Sequence, residues 1–531
     1  MKPPSISSDP HGIADVCLVL EGTYPYVQGG VSSWVHQIIT EMPDLTFAIF
    51  YLGSTREQAS RRRYDVPSNV VVLEEVFLFE PLPDEALAPG KISAALKGEF
   101  YAALESVYLG TEPSARIEAF WQTLAQLEKI EAAGTEFTFG NLCRDHQGWQ
   151  LLLKGCGEGG LLNESFIDFF WTLRYMHLPV WIALSARHRM PRARMYHSIS
   201  TGYAGLMGAI AARRADAPYL ITEHGLYTKE RIAEISQATW IYDPPNRYLD
   251  LHSGLSPFKQ LWINLFTFLG HVSYSSAQAT IALFGGNHKL QQEFGADPTR
   301  LAAIPNGIDP TRFDAARRKR ETRLAAGFGE RIVIGFIGRV VPIKDVKTLI
   351  RAAGIVTARE PRAIFHIIGP TEENPEYYEE CRLMAKLAGL EEKLLFLGSK
   401  NIREIIDTLD VCVLTSISEG LPLIILECYA AGVPCVCTDV GACRELIYGR
   451  TAEDKAIGPA GYLTGIGSPA DTADALLRAI ASPENVLKLG AAGRTRVERH
   501  YRQDEIMGIY RRYYTDHTWA GPQRITTGGN T

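Results

Sequence analysis

Charge of one sign, regularly spaced cysteines and uninterrupted apolar runs are all scarce in this 531-residue chain. Its 54 Lys and Arg stand against 60 Asp and Glu, a balance of -6. Such a surface offers no general attraction to nucleic acid or anionic lipid, so any anion must be captured locally. The nine cysteines are odd in number, with no C-x-x-C pair. They indicate neither a disulfide framework nor a zinc site, and they fit a reducing cytoplasm. The two most lipid-like stretches are broken by Asp168, Arg174 and His177 in 166–184 and by Asn264, His271 and Gln278 in 261–284. Both are expected to be buried or amphipathic rather than membrane-spanning. Residues 1–12 lack the apolar core of a secretory signal and are expected to form a disordered leader.

What is present is a large soluble-type composition, 46% hydrophobic and 21% charged, too long for one core and too apolar for wholesale disorder. Short β-branched runs alternate with amphipathic stretches, the pattern of parallel βαβ units. Strands are expected at 15–22, 46–53, 69–73, 195–200, 218–223, 279–284 and 301–305, with a helix over 31–40. Between about 80 and 190 the pattern turns helical and suggests an insertion. A charged, irregular segment at 311–330 marks a domain boundary, and a second series of strands follows at 332–338, 363–369, 394–398, 411–416 and 433–440. The expected architecture is α/β: an N-terminal Rossmann-like domain over 13–315, a C-terminal one over 325–500, a helix over 501–517 crossing back to the first, and a disordered tail at 518–531.

Ligands of open α/β sheets bind beyond the carboxyl ends of the strands, which directs attention to four loops. The first runs from Gly22 to Gly29-Gly30, just ahead of a helix. Its paired glycines let a phosphate approach free helix N–H groups, or they make only a tight turn. The second, Gly338-Arg339 to Lys344-Asp345, offers a planar guanidinium and a compact ammonium to a diphosphate, or two solvated loop cations. The third carries Glu419-Gly420-Leu421-Pro422 and leads into a helix bearing Glu427. The spacing of eight puts one carboxylate in the loop and the second about one turn into the helix. A carboxylate among Leu-Ile-Ile-Leu and Cys-Tyr-Ala-Ala is costly unless hydrogen-bonded, by the protein itself or by ligand hydroxyls. The fourth, Thr222 to Arg231, gathers Glu223, His224, Tyr227, Lys229 and Arg231 at a strand end, as possible acceptor or cleft residues. Asn306, in Asn306-Gly307-Ile308-Asp309, is a turn residue, a hinge or a ligand contact. Cys412, Cys428, Cys435, Cys437 and Cys443 lie in apolar segments without ligand spacing, and core packing is expected there.

The set Glu419-x7-Glu427, with Gly338-Arg339, Lys344 and Gly29-Gly30, resembles the retaining glycosyltransferases of family 4. The runs 21–36 and 222–231 resemble more narrowly the cytosolic transferases of Pel-type exopolysaccharide synthesis. The resemblance implies GT-B architecture, two Rossmann-like domains facing across a cleft. It implies a UDP-sugar donor, a growing polysaccharide acceptor and no cofactor; no D-x-D carboxylate motif that would hold a divalent metal on the diphosphate stands out, so metal-independent turnover is expected. It further implies a cytoplasmic enzyme, peripheral at the inner membrane through exopolysaccharide synthase components, with no nucleic-acid partner. By the same resemblance Arg339 and Lys344 bind the diphosphate with the Gly30 backbone assisting, and Glu427 holds the ribose. Glu419 and the Gly420-Leu421-Pro422 backbone hold hexose and diphosphate, and His224 lies near the reacting sugar. Glu419, His224, Lys344 and Arg339 form the expected catalytic set, joined for donor binding by Gly29, Gly30, Gly420, Leu421, Pro422 and Glu427. Two other readings share the scaffold: a nucleotide-sugar epimerase, and a non-catalytic nucleotide-sugar-binding component of a membrane synthase.

Overall fold

The computed structural model describes residues 12–158, 164–242 and 254–516, so nearly all of the expected leader and tail lie outside the described residues. The chain separates into two compact units. One holds 1–281, 288–302 and 514–531; the other holds 282–287 and 303–513.

In the first unit, strands β1 (Val16–Glu21), β2 (Phe47–Gly53), β3 (Val70–Phe77), β4 (Tyr196–Ser198), β5 (Tyr219–Glu223), β6 (Ala279–Ala282) and β7 (Leu301–Ala303) form one sheet in the order β3-β2-β1-β4-β5-β6-β7. β1 pairs in parallel with β2 on one side and β4 on the other, with Leu18 opposite Ile49 and His197. Five of the six β1 residues are buried, as expected for a parallel strand covered on both faces. The break between β3 and β4 is helical, as the pattern predicts, with helices at Ala94–Leu109, Pro113–Ala132, Phe139–Arg144, His146–Glu158 and Phe166–Ser185. Their starts are written locally. Ser93 and Ser165 accept from the N–H groups of Leu96 and Asp168, and Thr138 and Asn141 form a reciprocal capping box. Buried Phe100, Phe120, Leu124 and Phe169 join this block to the apolar core of the unit.

In the second unit, β8 (Ile332–Ile337), β9 (Ala363–Ile368), β10 (Leu394–Gly398), β11 (Val411–Leu414), β12 (Cys435–Thr438) and β13 (Gly461–Thr464) form a parallel sheet in the order β10-β9-β8-β11-β12-β13. That is the Rossmann order, three strands to one side of the switch point and three to the other. The four-residue edge strand β13 was not expected from the sequence. It is too short for an alternation signal, and its place is fixed by pairing, Cys435 opposite Gly461.

The segment expected to be irregular is instead the helix Asp314–Ala325, which corrects the sequence reading. Its charge run is not wholly solvated. Arg320 is fully buried and donates to the carbonyls of Leu409 (2.9 Å), Asp410 (2.9 Å) and Gly432 (2.5 Å). Three buried carbonyls are thereby satisfied, Leu409 O with a second donor in Arg323 (3.4 Å), and the helix belongs to the second unit rather than to a linker. The last helix, Gln503–Thr515, carries Tyr514, whose hydroxyl lies 2.8 Å from Nδ1 of His197. Among the described residues no helix is long and apolar enough to cross a membrane.

Candidate functional site

In the second unit two strand-end loops are stitched together. After β8 the backbone turns through Gly338, whose N–H donates to Ile368 O (2.9 Å) while Val340 N–H donates to Pro370 O (3.0 Å). A Cβ on Gly369 would stand 2.0 Å from Gly338 O, so only glycine permits this approach. The loop then forms a tight turn at Pro342–Lys344 and ends at Asp345, which is left-handed (φ 44°) and caps the helix Val346–Arg359 by accepting from Thr348 N–H (3.2 Å). From the loop after β11, Thr415 Oγ1 donates to the carbonyls of Lys344 (3.1 Å) and Asp345 (3.0 Å), and Ile417 N–H donates to Ile343 O (2.8 Å).

These bonds bring Lys344 and Glu419 together. Nζ of Lys344 lies 2.5 Å from Oε1 of Glu419, which also accepts from Ser416 Oγ (2.5 Å). The side chains are 19% and 10% exposed, so the pair is screened less than a surface ion pair. Arg339 behaves differently. It meets Glu373 at 2.6 Å with both side chains about half exposed, a pairing of little energy that a ligand can displace.

Gly420 and Leu421-Pro422 lead into the helix Leu423–Ala430, whose start has no side-chain cap and so keeps first-turn N–H groups for an anion. Gly441 shapes this loop. It has φ +54°, and a Cβ there would lie 2.3 Å from the carbonyl oxygens of both Glu419 and Gly420. Sequence reasoning missed Gly441, although its place just after the strand β12 is a recognisable signal.

Glu427 projects from the same helix and is largely enclosed. No described residue hydrogen-bonds its carboxylate. Burial pushes its carboxyl up to about 7, against the pull of Arg403. A desolvated carboxyl group without a protein partner is costly, and it is the kind of group a ligand's hydroxyls satisfy.

In the first unit the helix Gly30–Thr40 follows the Gly29-Gly30 loop and likewise has no side-chain cap. The space beside Gly29 is open, for a Cβ there would meet nothing within 4 Å. On that helix Trp34 packs edge-on to His224, ring centroids 4.7 Å apart. Both ring nitrogens of His224 are enclosed without a hydrogen-bond partner among the described residues, and burial pulls its pKa down to about 4. His224 is therefore a neutral imidazole with an unspent donor and acceptor.

Glu223, expected at a cleft, is not available to a ligand. It is fully buried, and its oxygens accept from Tyr274 (2.7 Å), Gln291 (2.9 Å), Thr201 (3.3 Å) and Tyr227 N–H (3.3 Å). It anchors the loop rather than facing solvent, because four donors fill its lone pairs. Tyr227 donates to Glu21 Oε1 (2.7 Å), and Arg231 lies over the Tyr227 ring (4.9 Å) while pairing with Glu234 (2.7 Å). Lys229 is exposed. Asn306 belongs to the second unit and is buried with Oδ1 unpartnered. The thiols of Cys412, Cys428 and Cys435, scattered in sequence, converge within 4.8 Å of one another. They lie inside an apolar cluster with Leu414, Ile425 and Val433.

Residues 14–299 match the model of a domain of unknown function, DUF3492, and residues 331–482 match the model of glycosyl transferases group 1. The chain is 29% identical over 211 residues to the D-inositol 3-phosphate glycosyltransferase of Geodermatophilus obscurus, covering 38% of this chain and 45% of that protein. It is 29% identical over 221 residues to the N-acetyl-alpha-D-glucosaminyl L-malate synthase of Bacillus anthracis, covering 41% and 54%. The chain thus spans about half the length of these curated relatives. Among solved structures, HepE of Anabaena in complex with UDP and glucose superposes with a TM-score of 0.54 at 14% identity, covering 94% of this chain and 99% of that one. At that identity the likeness concerns the fold, two Rossmann-like parallel-sheet domains of the kind found in GT-B glycosyltransferases. The chain belongs to the DUF3492 family, and its second unit carries a group 1 glycosyltransferase domain.

Proposed function

We propose that the protein is a retaining glycosyltransferase that moves a hexose or N-acetylhexosamine from a UDP-sugar to a growing Pel-type exopolysaccharide chain, in the manner of PelF, which its 21–36 and 222–231 runs resemble. The observation that carries the donor half is Glu427, a partly enclosed carboxyl group that no described residue hydrogen-bonds, on the helix that follows the Glu419 loop inside the group 1 glycosyltransferase match. Ribose hydroxyls donating to Glu427 would meet its lone pairs. Lys344 and Arg339, with the uncapped helix start after Pro422, would face the diphosphate. That UDP occupies the Anabaena neighbour supports UDP as the nucleotide.

As the donor bond breaks, negative charge grows on the diphosphate while the sugar becomes oxocarbenium-like. Fixed cations and N–H groups stabilise the first charge without reorganising. In this reading the charge is met by these groups rather than by a divalent cation, and the acceptor attacks from the leaving-group face, the diphosphate taking its proton. His224, neutral and with both nitrogens unspent, serves the reacting sugar. Docking to inner-membrane synthase components accompanies this role.

Calorimetric titration with UDP and with UDP-glucose, UDP-N-acetylglucosamine and UDP-N-acetylgalactosamine, with and without EDTA, tests the donor reading. Micromolar binding that survives EDTA is expected. Absence of binding to every UDP species would refute it, and an isomerised nucleotide sugar in place of a new α-glycoside would point to the epimerase.

A further inference from the structure

The first unit contains a cavity of about 830 Å³ between the carboxyl end of its sheet and the inserted helix Phe166–Ser185. That volume lies in the range of about 300–1,000 Å³ usual for small-molecule sites. One wall comes from the sheet side: Glu21 at the end of β1, with Tyr227 donating to it (2.7 Å), and Arg231 beyond. The other wall is the insertion, which supplies Asp168, Trp171 and Tyr175.

Trp171 and Tyr175 are four residues apart, which on a helix places them about 6 Å apart along one face. Their rings are nearly parallel, centroids 5.8 Å apart and planes 28° from each other. They are 45% and 59% exposed. Half-exposed aromatic rings beside carboxylates and hydroxyls, with Arg174 lying 5.9 Å over the Trp171 ring, form an amphipathic surface, apolar on the rings and hydrogen-bonding at the rim. That pattern matches a pyranose ring, which has apolar C–H faces and hydroxyls around its edge.

The charges narrow the ligand. The lining holds three carboxyl groups, Glu21, Asp168 and Glu234, and a single cation, Arg231, which Glu234 already engages at 2.7 Å. No free cation remains among the described lining residues to pair with a uronate or a phosphate, and bringing such an anion among these acids is repulsive.

We propose that this cavity binds a run of uncharged pyranose units, with Trp171 and Tyr175 as the stacking platform. Resting on the glycosyl-transfer reading above, the bound run is the acceptor chain. The insertion then has a function: it supplies the wall that grips the polymer.

The test is direct binding without donor. The full-length protein is titrated with cellohexaose, N-acetylchitohexaose and hexagalacturonate, following tryptophan fluorescence and saturation-transfer NMR. At least one neutral hexamer is expected to bind in the millimolar range or tighter, with no binding of the uronate. Trp171→Ala with Tyr175→Ala should weaken that binding at least tenfold. Both side chains are substantially exposed, so the fold tolerates their loss, and unchanged UDP binding in the double variant verifies this. Failure of both neutral hexamers to bind, equal binding of the uronate, or binding indifferent to the two substitutions would overturn the proposal. A failed donor reading shows separately, as absence of UDP binding by the unaltered protein.

Discussion

Replacing Glu427 by Gln should make the unliganded protein more stable at pH 8 while weakening donor binding there. A carboxyl whose pKa moves from 4.5 in the unfolded chain to about 7 in the fold holds its proton in the native state where the unfolded chain has lost it. Stability therefore falls as pH rises from about 4.5 towards 7, and the whole loss is in place above 7. At about 1.4 kcal/mol per pH unit, the interval amounts to about 3 kcal/mol, or about 2 kcal/mol allowing for partial solvent access to the group. Gln keeps the shape and carries no charge. Urea denaturation at pH 8 should accordingly place Glu427→Gln above the parent by about 2–3 kcal/mol, and the gap should shrink to less than about 1 kcal/mol at pH 5. Binding moves the other way. If only the ionised carboxylate accepts ribose hydroxyls, UDP affinity of the parent should drop about tenfold per pH unit below 7, and the variant should bind more weakly with a flat profile. A Gln variant less stable than the parent at pH 8, or an equal gap at both pH values, would show that Glu427 is an internally satisfied structural residue and refute the argument.

Lys344→Ala should leave the circular dichroism spectrum unchanged and reduce transfer about 100- to 1,000-fold, the usual loss when one preorganised charge-stabilising group is removed; turnover within tenfold of the parent would sink its role. Gly441→Ala, at φ +54° with its Cβ forced against the Glu419 and Gly420 carbonyls, should cost about 1–3 kcal/mol and weaken UDP binding, as read from the urea midpoint and calorimetry. Arg496 is fully buried, pairs with Asp454 at 2.5 Å and donates to the carbonyls of Leu446, Ile447 and Gly458. Arg496→Met takes the guanidinium from Asp454 Oδ1 and from these carbonyls, although Asp454 Oδ2 keeps Arg450 N–H and Ile447 O keeps Ala460 N–H, and it should cost about 3–5 kcal/mol; a shift below 1 kcal/mol would mean the second unit does not depend on this network.

The sequence by itself determined the local features. Parallel strands covered on both faces must be apolar throughout, so β1, β2, β8, β9 and β11 were legible as runs, and the stretch 80–190 was legible as helical in pattern, without its individual helices. The strand-end loops with Arg339, Lys344 and Glu419, and the helix bearing Glu427, stood out as candidates because ligands of open α/β sheets bind beyond the carboxyl ends of the strands. Only tertiary structure decided what depends on pairing across the chain. β13 exists through its partner β12, and the basic run 317–323 becomes a helix because Arg320 finds three carbonyls more than 80 residues away. Glu223, at the end of β5, and Glu427, in the helix after the Glu419 loop, carry the same side chain. Four donors enclose the first, three of them from segments more than 20 residues away, and none among the described residues hydrogen-bonds the second. Gly441 likewise owes its constraint to the close approach of the Glu419-Gly420 loop, which no periodicity encodes, whereas the Trp171–Tyr175 pair is an i,i+4 spacing on one helix whose neighbouring cavity only the tertiary structure supplies.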